Sequence, residues 1–307
     1  RTLRAMIKVA MSTVACPEWT LETIAQAAQS WGYHAVELRT FGDASRSFAC
    51  DPALTNPEKI RRWFGDRGLT VASLATGLGF GEAITPPVIG NVITDSEVSV
   101  RAAKRAIDLA ISLECPLVRV FGFELPTREK RSLGVARVAD RLGRVIDHAH
   151  RTGVSVMIEN AGSFMSVQGL MDVVREVNSP LLGVCANIAN SFVAGEGGES
   201  AIAAAGTSLM ALRVKDLTPG SDGVMKPAAL GAGVVPFAPS VALAAARASG
   251  GSVPGGAIPV IFEYDRAWLP GLASAESVLP AACEAIVRAA GAQAAAGAPS
   301  RTPMARA

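Results

Sequence analysis

The stretch Val154-Ser155-Val156-Met157-Ile158-Glu159-Asn160 is an apolar run too short and too β-branched for a helix, and it ends in a carboxylate. A glutamate at the mouth of an apolar strand costs free energy unless it is paired, hydrogen-bonded or holding a ligand. The same pattern returns near the end of the chain, where Ile258-Pro259-Val260-Ile261-Phe262 runs into Glu263. Two strands that end alike point to one shared mouth.

Outward from these strands the chain alternates. Strand-like runs over 6–11, 34–39, 70–75, 117–121, 181–186 and 209–214 join 154–159 and 258–263 to make eight. Between them lie helical patterns. Thr20 caps a segment with Glu22 in its first turn, 57–67 stops at Gly68, and Val100, Ala103, Ile107, Ala110 and Ile111 recur at helical intervals within 96–113. Residues 133–151 are closed by Gly153, and 167–177, 199–206, 240–248 and 274–290 complete the series. With no shift of composition to mark a boundary, the pattern predicts an α/β chain folded as one (β/α)8 TIM barrel over 1–290, followed by a disordered tail, 291–307, rich in Ala, Gly, Pro and Ser. A dinucleotide-binding open sheet is disfavoured, because no Gly-x-Gly-x-x-Gly separates the first strand from the first helix. Gly77, Gly79 and Gly81 are expected to open a long loop reaching about Asp95, of a length suited to a lid.

Composition narrows the function. A chain of 307 residues, 50% hydrophobic, has material for one large core, and Lys+Arg 29 against Asp+Glu 27 is too even to suggest a nucleic-acid or membrane surface. The cysteines Cys16, Cys50, Cys115, Cys185 and Cys283 are odd in number and scattered, which reads as reduced thiols of a cytoplasmic protein without zinc spacing. Neither a membrane-length apolar span nor a signal peptide is evident.

In a barrel, catalytic groups gather at the carboxyl ends of the strands. Those positions hold Glu37 and Arg39, Arg119, Glu159 and Asn160, Asn187 and Asn190, Arg213 and Lys215, and Glu263. No histidine is among them, so a Ser-His-Asp or Cys-His nucleophile has no base to use. Arg39, Arg119, Lys215 and Arg266 suit an anionic small-molecule substrate, although carboxylates such as Asp216 and Asp265 compete for them. Asn187 and Asn190 read equally well as ligand contacts and as loop caps.

Gly32-Tyr33-His34-Ala35-Val36-Glu37-Leu38, Met157-Ile158-Glu159-Asn160, Asn187-Ile188-Ala189-Asn190, Val214-Lys215-Asp216, Leu230-Gly231-Ala232-Gly233 and Phe262-Glu263 stand in a characteristic order and spacing. The set resembles the xylose isomerase-like barrel superfamily, in its sugar phosphate isomerase/epimerase branch, over about residues 8–290. The resemblance implies a divalent metal, Mn or Mg, held by Glu, Asp, His and Glu from strands five to eight, with the two glutamates moving a substrate proton. It also allows a homo-oligomer built through the outer helices. The matching positions are Glu159, Asn187, Arg213 and Glu263. Asparagine still offers a neutral oxygen, but a guanidinium cannot ligate a metal and repels a cation. The family's Gly-Glu-Gly is Gly231-Ala232-Gly233, which removes a further carboxylate. No metal is therefore expected; were one bound, Glu159, Asn187 and Glu263 would be its ligands. Two Glu, one Asp, a neutral His and a dication sum to −1, as do Glu159, Asn187, Arg213 and Glu263.

The expected activity is isomerisation, epimerisation or dehydration of a small sugar-like or polyhydroxy keto compound, beginning with removal of a proton next to a carbonyl. Glu159 and Glu263 move the proton, and Arg213 stabilises the enolate or binds a substrate carboxylate. Asn187, Asn190, Lys215, Glu37, Arg39 and Arg119 line the substrate site. The alternative is a non-catalytic barrel, binding a ligand or supporting a partner subunit, in which Glu159, Arg213 and Glu263 form a structural ion-pair network.

Overall fold

Parallel strands close on themselves in a computed structural model that describes residues 7–40, 56–82, 98–249 and 257–296. The barrel strands are β1 (Ile7–Ser12), β2 (Ala35–Arg39), β3 (Thr70–Gly79), β4 (Leu117–Phe121), β5 (Ser155–Glu159), β6 (Leu182–Asn187), β7 (Leu209–Val214) and β10 (Ile258–Phe262). They follow one another around the ring in chain order, and β10 pairs with β1 to close it. Helices α1 (Leu21–Ser30), α2 (Pro57–Gly65), α3 (Val98–Ser112), α4 (Arg131–Ala149), α5 (Val167–Val177), α6 (Ile188–Val193), α7 (Gly198–Ala205), α8 (Phe237–Ser249) and α9 (Ala275–Ala296) lie between the strands and after the last. This is the expected (β/α)8 TIM barrel.

Local chemistry sets the helix starts. The Thr20 hydroxyl accepts from Thr23 N at 3.2 Å, Asn56 Oδ1 accepts from Glu58 N at 2.9 Å ahead of Pro57, and Ser166 Oγ accepts from Gly169 N at 3.2 Å. Apolar stripes such as Val100, Ala103, Ile107 and Ala110 of α3 pack on the outward faces of the strands. Inside the barrel sits a separate apolar layer that includes Ala10, Ala35, Leu117, Met157, Cys185, Ala211 and Ile261.

That layer positions the site. Strand side chains alternate faces, so the residue two places on from each inward apolar group also points inward, one layer nearer the carboxyl end. Ala35 is followed by Glu37, Leu117 by Arg119, Met157 by Glu159, Cys185 by Asn187, Ala211 by Arg213 and Ile261 by Glu263. A charged layer therefore rests directly on an apolar one.

Several expectations are corrected. Gly77-Leu78-Gly79 does not open a loop: β3 continues to Gly79, which pairs with Phe121 across a register shift, and a Cβ at Gly79 would lie 2.5 Å from the Phe123 ring. The rest of that expected loop from residue 83 to about Asp95 lies outside the described residues. The Gly/Pro-rich stretch after β7 contains an antiparallel hairpin, β8 (Asp216–Pro219) with β9 (Met225–Ala228). The last helix runs to Ala296, past the expected end at 290; the tail from 297 lies outside the described residues. No helix among the described residues is long and apolar enough to cross a membrane.

Candidate active site

Arg213 has no solvent exposure and is the centre of the charged layer. Its Nη1 and Nη2 donate to Glu37 Oε1 and Oε2 at 2.9 and 2.8 Å, the bidentate fork that suits a planar guanidinium. Nη1 also donates to Glu263 Oε2. Its Nε lies 3.0 Å from Glu159 Oε2, close enough for strong charge attraction but without the alignment of a hydrogen bond. One guanidinium thus faces three buried carboxylates from β2, β5 and the end of β10.

A second set of contacts fixes those carboxylates. Ser73 Oγ donates to Glu37 Oε2 at 2.8 Å across the β2–β3 pair, and Asn187 Nδ2 donates to Glu159 Oε1 at 2.8 Å. Arg119 Nη1 stands 3.3 Å from Glu159 Oε2, with its guanidinium 4.2 Å over the Phe121 ring. Lys215 Nζ bridges Glu263 Oε1 at 3.1 Å and the Asp265 oxygens at 2.9 and 2.7 Å. Glu37, Glu159 and Glu263 against Arg213 and Arg119 leave a charge of −1, the total expected for the family's metal shell.

Electrostatics follow from this packing. Burial opposes the Glu263 carboxylate, but Arg213 and then Lys215 outweigh it and hold the group well below the usual carboxylate range. Burial also works against the Arg213 cation, and Glu159, Glu263 and Glu37 together push its pKa far up. Lys215 is raised in the same way, its desolvation overcome by Glu263 and Asp265. Asp265 moves up, chiefly through burial, against the pull of Lys215. Burial and the Arg119 guanidinium bring Arg39 down to about 10.

The sequence candidates divide. Glu37, Arg119, Glu159, Asn187, Arg213, Lys215 and Glu263 form one contact network, whereas Arg39 donates to Thr40 O and Ala75 O at 2.9 and 2.8 Å and lies 5.7 Å over Trp268. Asn190 donates to Asn160 O at 2.7 Å, and its N–H donates to Asn187 Oδ1 at 3.1 Å, making Asn187 the cap of α6. Asn187 is therefore both a cap and a site residue. Asn160, whose side chain faces away from the barrel interior, ties Met165 O, Asn187 O, Ser191 Oγ and Asn187 N together. Asp216, a competitor for the cations on sequence, instead accepts the N–H groups of Leu217, Gly231, Gly233 and Val235. Arg266 pairs with Glu18. Sequence reasoning missed Ser73 and the Glu37–Arg213 pair. The available signal was that each strand carried one buried charge of opposite sign in need of a partner.

The side chains do not fit the family's metal. Arg213 Nη1 and Nε stand among Glu37, Glu159 and Glu263, so the space between the carboxylates already holds a cationic group. Among the described residues no three His, Cys, Asp or Glu side chains are grouped to hold an ion. At the opposite, amino-terminal mouth a cavity of about 340 Å³ is lined by Val71, Leu117, Met210 and Pro259, with Lys8 its sole ionisable group among the described residues. It lies away from this chemistry, at the barrel end associated with stability.

The sequence matches the family model described as xylose isomerase-like TIM barrel over residues 25–250. No curated protein matches it. Among solved structures, the chain is similar to the IolI protein with a bound zinc atom (15% identity, TM-score 0.73, covering 94% of this chain and 99% of that one). It is similar to the probable 3-DHS dehydratase AsbF of petrobactin synthesis from Bacillus anthracis (13%, 0.68, 91% and 98%). A third likeness is to L-ribulose 3-epimerase (15%, 0.70, 97% and 100%).

Proposed function

Because the chain belongs to the xylose isomerase-like TIM barrel family, we propose that it is an isomerase/epimerase-like enzyme acting next to a carbonyl, with Arg213 in the electrostatic role of the family's dication. The observation that carries this reading is the Arg213 guanidinium set among Glu37, Glu159 and Glu263. The substrate is a small sugar-like or polyhydroxy keto compound, and the cations Arg39, Arg119 and Lys215 suit an anionic group on it. A carboxylate of the Glu159/Glu263 pair removes the proton. The positive field of Arg213 and Arg119 stabilises the enolate, and because these groups are already oriented, little reorganisation accompanies the reaction. Isomerisation, epimerisation and dehydration share this first step.

The test is deuterium uptake at the carbon next to the carbonyl of D-fructose, L-ribulose and hydroxypyruvate in D2O, followed by NMR with a chelator present. The wild type exchanges, and Glu159→Gln reduces the rate by about 10²-fold or more. A second reading draws on the complete burial of Arg213: the network is structural and the barrel binds a ligand or supports a partner subunit. Ligand binding that survives Glu159→Gln, with no exchange in the wild type, favours that reading.

A further inference from the structure

The barrel interior is filled by the charged layer and the apolar layer beneath it, but not at the amino-terminal mouth. Two places before Ala10, Met157, Cys185 and Ile261 stand Lys8, Ser155, Gly183 and Pro259, which therefore face inward one layer nearer the amino ends of the strands. Barrel interiors are ordinarily packed by bulky branched side chains, and none of these four is one. The space left is the cavity of about 340 Å³, which Lys8, Ser155 and Pro259 line.

Two strand irregularities open onto the same space. Strand β2 pairs with β3 at Val36/Val71 and then at Glu37/Ser73, which makes Ala72 an extra residue. Strand β6 pairs with β7 at Val184/Leu209 and then at Cys185/Ala211, which makes Met210 another. Both extra residues line the cavity. Bulges re-aim side chains and are enriched at barrel rims and beside active sites. A Cβ at Gly183 would lie 2.5 Å from Met210 Cγ, so the missing side chain there is what lets Met210 lie against the wall.

The polar content of the lining is small and unsatisfied. Lys8 is half-buried, and neither its ammonium nor the Ser155 hydroxyl has a hydrogen bond or ion pair among the described residues. A cation on a mostly apolar wall calls for a ligand that is apolar and carries one negative charge. We propose that this cavity binds an apolar monocarboxylate, with the hydrocarbon part on Ala72, Leu117 and Met210 and the carboxylate on Lys8. Its volume lies within the range of about 300–1,000 Å³ for small-molecule sites. One cation among apolar groups suits a monoanion, whereas a phosphate dianion or a polyol would lose hydration without replacement. The apolar layer of Ala10, Met157 and Ile261 separates this site from the Arg213 cluster, and binding here is independent of the activity proposed above.

Octanoate, titrated into protein carrying isotope-labelled methionine methyl groups and followed by NMR, is the test. The Met210 resonance, identified by its loss in Met210→Leu, is expected to shift saturably, while that of Met171 on the outer helix α5 stays in place. Lys8→Leu should weaken octanoate by about tenfold or more, the share of one charge-assisted hydrogen bond, and leave octanol within about twofold. Ala72→Leu fills the cavity and should abolish binding of both. A Met210 resonance that does not move in the wild type overturns the proposal, as does octanoate affinity that Lys8→Leu leaves unchanged. Equal losses for octanoate and octanol in Lys8→Leu would show that the ammonium reads no charge, and octanoate that still moves Met210 in Ala72→Leu would place the ligand elsewhere.

Discussion

Replacing Arg213 with methionine keeps most of the side-chain volume and removes the charge. Arg213 makes three charge-assisted hydrogen bonds, two to Glu37 and one to Glu263, and a fourth charged contact at 3.0 Å to Glu159. At about 1.5–3 kcal/mol each these would sum to more than the change costs, since the methionine stem still packs where the arginine stem did. Loss of one partner of a buried ion pair costs about 3–5 kcal/mol, and that is the expected destabilisation at pH 7. In a thermal scan it corresponds to roughly 6–10 °C, at about 2 °C per kcal/mol for a large domain.

The pH dependence is the sharper part of this prediction. In the wild type, the depressed Glu263 pKa stabilises the fold at neutral pH, and this is lost progressively as pH falls below the ordinary carboxylate value towards the depressed one. In the variant, burial of Glu263 remains and its chief counter-charge is gone while Lys215 still pairs with it, so its folded pKa moves up towards the unfolded one and the variant loses less stability to acid than the wild type does. Urea unfolding at pH 7 and pH 4.5 should therefore show the gap between the two proteins narrowing as pH falls. A gap below about 1 kcal/mol, or one independent of pH, would refute the reasoning.

Other expectations are independent of Arg213. Asn160→Ala leaves Asn187 N and three other polar groups without their partner and should cost about 2–4 kcal/mol in urea unfolding. Asp216→Ala frees four amides, and hydrogen exchange at Gly231, Gly233 and Val235 should accelerate by about tenfold or more, while β5 amides stay protected. Glu263→Gln should flatten the acid side of the stability curve, because the depressed group is gone. Asp265, whose raised pKa favours the folded state at low pH, then remains and acts in the opposite direction.

How far the sequence could be read depends on the range of the interaction. The strands and the inward positions at their ends follow from a local period, so the pairs Met157/Glu159 and Ile261/Glu263 were legible. The Glu37–Arg213 pair joins residues 176 apart and depends on the width of the closed barrel, which no local pattern encodes. Glycine's poor fit to strands made Gly77 and Gly79 look like loop, yet the Phe123 ring occupies the space a side chain at Gly79 would take. Pro227 pairs with Leu217 in a two-stranded ribbon, where an edge position tolerates a missing N–H. Asn187 was open between cap and site on sequence because its two side-chain atoms serve one role each.

Metal content of protein purified without chelator, followed by Mn2+ titration of the wild type and of the double variant Arg213→His with Asn187→Asp, tests the central claim most directly. The account predicts a metal-free wild type that does not bind Mn2+ and a double variant that does, its new histidine and carboxylate joining Glu159 and Glu263. Stoichiometric metal in the wild type would contradict it, since Arg213 could not then stand in the cation's place.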